Sequence, residues 1–127
     1  MQGFGPFIRR QRETLRADDP RFSVRQLAVR IGVEPSYLSK VERELEPPPS
    51  EPKIRALANE LGEDPDLLLA RAGKVSADLQ EAICRRPRLL STLIRELNNQ
   101  PEKAVKRVLQ DVKSGKNRGR ADDRRKQ

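Results

Sequence analysis

Apolar residues recur at spacings of three and four along most of this chain, the period of helices with one buried face. The clearest stretch is SVRQLAVRIGVEPSYLSKVEREL, from Ser23 to Leu45. Ser23 is a good N-cap for a first short helix in which Leu27, Ala28 and Ile31 share a face. Gly32 is placed to end that helix, because glycine enters the left-handed region without a Cβ penalty. Pro35 suits the first turn of a second helix, where its missing N–H is not needed. That helix is expected to bury Leu38, Val41 and Leu45. Neither helix is long enough to stand alone in water. A small residue on the buried face, a glycine and then an apolar turn residue, Val33, describe a helix-turn-helix.

The same period extends in both directions. Phe4, Phe7, Ile8, Gln11 and Leu15 outline a preceding helix, and RADDPRF (16–22) is a turn through Asp18, Asp19 and Pro20. PPPSEP (47–52) is an extended spacer that is not helical before Ser50. Ser50 is expected to cap a helix carrying Ile54, Leu57, Ala58 and Leu61, stopped by Gly62. Asp64-Pro65 starts a fifth, with Leu67, Leu68 and Ala70, which runs to Gly73. The expected fold class is all-α: a five-helix bundle containing the helix-turn-helix (1–73), further C-terminal amphipathic helices (74–113) and a disordered basic tail (114–127).

The C-terminal helices are expected from Ser76 through Leu79 and Ile83 to Arg86, from Pro87 with Leu90, Leu93, Ile94 and Leu97, and from Pro101 with Ala104, Val105, Val108, Leu109 and Val112. Each has one apolar stripe that must be covered. A dimer interface is the favoured cover; a different protein, as in an antitoxin holding a toxin, and packing within the chain remain open.

Charge changes the picture once it is divided. Residues 1–73 hold 12 Lys/Arg and 12 Asp/Glu, whereas residues 74–127 hold 15 and 7, so the whole net charge of +8 lies behind the helix-turn-helix. Such asymmetry points to a polyanionic partner, nucleic acid first. Arg12 and Arg16 lie among the cations of the first helix, and Lys40 and Arg43 on the exposed side of the second helix of the motif, beside Ser36, Tyr37 and Ser39. These are the groups that read base edges and phosphates. Ser36, Ser39 and Lys40 are the candidates for base contact. Lys40 favours guanine O6 or N7, while serine is permissive. Tyr37 and Arg43 are candidates for phosphate.

The pattern of apolar, alanine and glycine positions, the segment PSYLSKVERE and the preceding FIRRQRETL resemble the DNA-binding domain of phage repressors and Cro, the xenobiotic-response-element family. The resemblance covers roughly Phe4 to Gly73. It implies a double-stranded DNA-binding regulator, commonly a symmetric dimer on a pseudo-palindromic operator, acting as a repressor. It also implies a structural ion pair between Arg12 and Glu42. Val24 stands where many relatives carry a glutamine that anchors a phosphate, which leaves Ser23 and Arg25 as candidates for that contact.

Other chemistry is thinly represented. One cysteine, Cys84, allows no internal disulfide, and without histidine no metal site is expected. Cys84 is expected to be an ordinary semi-buried residue. No phosphate-cradling glycine loop and no nucleophile with a base are present, so neither an enzyme nor a cofactor is expected. No signal peptide or membrane span is recognisable, and the cytosol of a bacterium or its phage, on the nucleoid, is the expected setting. An RNA-binding coat is disfavoured by the scarcity of aromatic residues to stack on bases.

Overall fold

The structure is a computed structural model that describes residues 2–115. The described chain is all-helical: α1 (Phe4–Arg16), α2 (Val24–Ile31), α3 (Pro35–Glu42), α4 (Glu51–Leu61), α5 (Pro65–Arg71), α6 (Ala77–Arg85), α7 (Pro87–Asn98) and α8 (Glu102–Ser114). It divides into two compact units, one reaching Gln80 and the other beginning at Glu81.

The first unit has a single core made from the stripes of five helices. Phe4, Phe7 and Ile8 of α1 meet Leu27, Ala28 and Ile31 of α2, Leu38 and Val41 of α3, Ile54, Leu57, Ala58 and Leu61 of α4, and Leu68 and Leu69 of α5. Ala28, with no exposed surface, removes bulk where α2 meets its neighbours. Between α1 and α2 the RADDPRF turn contains one 3-10 turn, Pro20–Phe22, capped by Asp19, which accepts from Arg21 N. Ser23 caps α2, its hydroxyl accepting from Gln26 N at 3.2 Å.

Three details differ from the sequence expectations. Leu45 lies outside α3 and is 63% exposed, because α3 ends at Glu42. Ser50 precedes α4 but makes no side-chain cap. In α5 the buried pair is Leu68 and Leu69, whereas Leu67 and Ala70 face outward. A run of three leucines does not reveal its inward register; packing against α4 selects it.

The helix ends explain the early stop of α3. After α2, Gly32 is left-handed (φ 77°) and Val33 N donates back to Ala28 O at 2.9 Å, while the Val33 side chain packs on the core. That is a Schellman end. The same return bond closes α4, from Glu63 N to Ala58 O, and α5, from Lys74 N to Leu69 O. After α3 it runs from Leu45 N to Lys40 O at 2.8 Å, but the left-handed residue is Glu44 (φ 62°), not glycine. The chain accepts the strain of a side chain there.

Glycine is indispensable elsewhere. A Cβ on Gly5 would collide with the carbonyl oxygens of Val41 and Glu42, which are backbone atoms and cannot swing aside. Gly5 therefore sets how closely α1 crosses the end of α3. Long-range polar contacts complete the unit. Lys53 Nζ donates to Ile31 O (3.1 Å) and Gly32 O (3.2 Å), partnering carbonyls left open at the end of α2. Arg71 lies over the Phe7 ring at 3.9 Å and donates to Gln2 O at 2.9 Å.

The start of α6 belongs to this unit. Lys74 Nζ donates to Pro49 O (2.9 Å) and Ala77 N to Glu51 Oε1 (3.0 Å). Buried Ser76 donates to Asp78 Oδ1 (2.5 Å), which holds the Asp78 carboxyl below its usual range. That contribution is full above the ordinary carboxylate range and fades as acid protonates Asp78.

Among its described residues the second unit shows no buried core. None of residues 81–115 is buried; Leu89 is 63% exposed, Ile94 52% and Leu109 53%. Cys84 is exposed, contrary to the semi-buried place expected for it. Ser114 ends α8 and Gly115 caps it, at the start of the segment expected as a tail. The remainder of that tail, residues 116–127, lies outside the described residues.

Two substitutions separate these backbone effects. Gly5→Ala should destabilise the first unit by about 3 kcal/mol, because a rigid clash must be relieved by moving α1. Glu44→Gly should stabilise it by about 0.5–1 kcal/mol, net of the freedom glycine adds to the unfolded chain. Urea denaturation of both variants against the parent measures each sign.

Candidate nucleic-acid interface

The outward side of α3 is built by helical spacing. Ser36, Ser39, Lys40 and Arg43 lie three, four and seven residues apart and so share one face of the helix and its C-cap, while Leu38 and Val41 turn into the core. Ser36, Lys40 and Arg43 are exposed and Ser39 is half-buried. Arg43 Nε donates to Ser39 O at 3.3 Å, which keeps its stem along the helix. Tyr37 lies to one side, half-buried against the core, with its hydroxyl 3.4 Å from Pro47 O.

The α2 side brings two further residues near the motif's entrance. Ser23 spends its acceptor on the cap of α2, and Arg25 is exposed in the first turn. Arg21, Arg25, Gln26, Val29 and Arg30 line a shallow hollow of about 410 Å³. Arg21 is held by Asp19 in a 2.8 Å pair that raises the arginine and lowers the carboxyl. Arg30 is also engaged. It lies over the Phe22 ring at 5.0 Å and donates to Glu60 (3.0 Å) and to Arg21 O (2.6 Å). Val24 packs against the core.

The face is held from behind by one buried ion pair. Arg12 Nε and Nη2 donate to Glu42 Oε2 (2.7 Å) and Oε1 (2.9 Å), a two-pronged contact in which both side chains are only 4% exposed. Arg12 Nη1 also donates to Phe22 O at 3.1 Å. One guanidinium thus joins α1, the turn before α2 and the last residue of α3.

A larger hollow, about 470 Å³, lies at the other end of α3 between Phe4, Val41, Leu45, Pro47 and Arg71, and Glu44 and Glu46 also line it. Its carboxylates make it a poor seat for phosphate. The sequence did not single out the parts played by Arg30, Lys53 and Arg71. Their partners lie 21 to 69 residues away or on another helix, so no local pattern marks them.

A compact set of short helices with a buried-face turn and a polar, cationic second helix defines a helix-turn-helix protein. The comparison with known families agrees: residues 4–72, 69 of the 127, match the family described as a helix-turn-helix domain, and the chain belongs to that family. Two curated relatives from Mycobacterium tuberculosis, one in strain CDC 1551/Oshkosh and one in strain ATCC 25618/H37Rv, are 44% identical over 69 residues. Each is named an HTH-type transcriptional regulator. The match takes in 54% of this chain and 45% of each relative, so the similarity spans about half of either protein. No solved structure matches. What the family establishes for this chain is the helix-turn-helix domain at residues 4–72. No helix of the described residues is long and apolar enough to cross a membrane.

Removing Arg12 leaves Glu42 charged and buried. Arg12→Ala should therefore cost about 3–5 kcal/mol, and Glu42→Gln, which keeps hydrogen-bonding capacity, clearly less. Thermal unfolding followed by circular dichroism distinguishes the two.

Proposed function

We propose that the chain is a sequence-specific, double-stranded DNA-binding repressor that acts on the nucleoid and reads a pseudo-palindromic operator as a homodimer. The observation that carries this reading is the joint exposure of Ser36, Lys40 and Arg43 on one side of a helix whose other side is locked into the core. Inserted in the major groove, α3 would bring Ser36, Ser39 and Lys40 to base edges, with Lys40 on a guanine. Arg43, Arg25 and Ser23 would hold phosphates, and Tyr37 would exchange its long bond to Pro47 for one to a phosphate oxygen. Repression would follow from occupying a promoter.

The dimer is supported by the second unit. Most of the apolar stripe residues of α7 and α8 are exposed, among them Leu89, Leu93, Ile94, Val108, Leu109 and Val112, and helices of this length do not persist in water with such a face exposed. A second copy would cover them and place two α3 helices about 34 Å apart on the duplex. The same stripes suit a different protein, which is the antitoxin-like reading; light scattering of the purified chain separates them, since that reading needs no homodimer.

Selection from random double-stranded DNA at near-physiological salt tests the whole. An inverted repeat with half-sites one turn apart is the expected result, and the absence of any enriched sequence would overturn it. Against the selected site, Lys40→Ala should relax preference at one base pair at a cost of about 1–3 kcal/mol. Arg43→Ala should weaken all sequences alike and lower the salt slope by about 1. Titrations of both variants on matched and mutated sites at several salt concentrations give the two numbers.

A further inference from the structure

Helices α7 and α8 of the second unit are versions of one fifteen-residue pattern. Leu89, Leu90, Leu93, Ile94 and Leu97 of α7 correspond to Ala104, Val105, Val108, Leu109 and Val112 of α8, and Glu96 corresponds to Asp111. The faces opposite the stripes repeat as well. Arg88, Ser91, Thr92, Arg95 and Asn98 in α7 become Lys103, Lys106, Arg107, Gln110 and Lys113 in α8. Successive steps of three, one, three and three place each set along one side of its helix. Neither set contains an acid, and the cations in both are exposed. Among the described residues only Lys106 of these cations has an ion-pair partner, Glu102 at 3.9 Å.

We propose that the outer faces of α7 and α8, with Lys103, Lys106, Arg107 and Lys113 at their centre, form a second, sequence-independent site for the phosphate backbone of duplex DNA. Covering the apolar stripes leaves these faces outward, so the site is compatible with a dimer but does not depend on one. From Lys103 to Lys113 the helix rises about 15 Å, the rise of four to five base pairs, which lets one face follow several consecutive phosphates. Arg and Lys gain there by releasing condensed counterions, and the serine, threonine, asparagine and glutamine between them add hydrogen bonds without reading bases. These faces carry part of the excess charge: residues 1–73, which hold α3, are neutral overall, and residues 87–115 hold six Lys/Arg against three acids. A lipid surface is the less suitable anion, because residues 81–115 contain no aromatic residue to anchor at a membrane interface.

The inference rests on the DNA-binding reading, and lysine acetylation footprinting of the full chain separates the two. The chain is labelled at about 50 mM salt alone, with a random-sequence duplex of about 30 base pairs, and with vesicles of equal phosphatidylglycerol and phosphatidylcholine, and each lysine is read by mass spectrometry. With duplex, acetylation of Lys103, Lys106 and Lys113 should slow by about threefold or more. Slowing at Lys40 alone would overturn the inference and leave the recognition helix in place. Slowing at the three α8 lysines without Lys40 would uphold it and remove α3 from the DNA. Protection by vesicles and not by duplex would assign the face to lipid and overturn it, as would no protection by either.

Discussion

The pair between Arg12 and Glu42 is the contact on which the geometry of the first unit depends. Both groups are almost out of water, so the cost of stripping their hydration is recovered only while the two-pronged contact is intact. An apolar pair of similar volume could fill the same space at no loss of stability. It would tolerate small rotations, whereas the guanidinium fork accepts one orientation of the carboxylate. Because Arg12 also reaches Phe22 O, the last residue of α3 is indexed to α1 and to the entrance of α2 at once. The outward row of Ser36, Lys40 and Arg43 inherits its direction from that indexing.

Close backbone approach works with the ion pair. Gly5 allows α1 to sit against the Val41 and Glu42 carbonyls, and a side chain there would push α3 away just where Glu42 has to meet Arg12. Glu44 then turns the chain sharply in the left-handed region and leaves Leu45 outside. A glycine would relax this turn. The structure holds the strain instead at the junction between α3 and the proline spacer, and stabilises it with the return bond from Leu45 N to Lys40 O.

The second unit is organised on another principle. Its helices α7 and α8 are amphipathic on one repeated pattern, yet their stripes are covered only in part: Leu90, Leu97, Ala104 and Val105 are half-buried, while Leu89, Leu93, Ile94, Val108, Leu109 and Val112 are exposed. The two faces therefore call for different partners, apolar surface for one and anions for the other. In the proposed reading an asymmetric charge distribution is useful, because nonspecific phosphate contacts would raise the local concentration of α3 along DNA without burdening the base contacts proposed for it.

Much of this was legible in the residues. The period of three and four, the Ser23 cap, the Gly32 stop and the Pro35 start are local signals, and each acts within one turn of helix, so the order of the helices and the place of the helix-turn-helix follow from sequence by itself. The exposed row on α3 is legible for the same reason. Tertiary structure decided what local patterns leave open: the choice of Leu68 and Leu69 over Leu67, the exposure of Leu45, and the docking of Lys53 on the end of α2 and of Arg71 on Phe7. These depend on how far apart two helices finally lie, which is set by packing among residues tens of positions away. No helical period carries that distance.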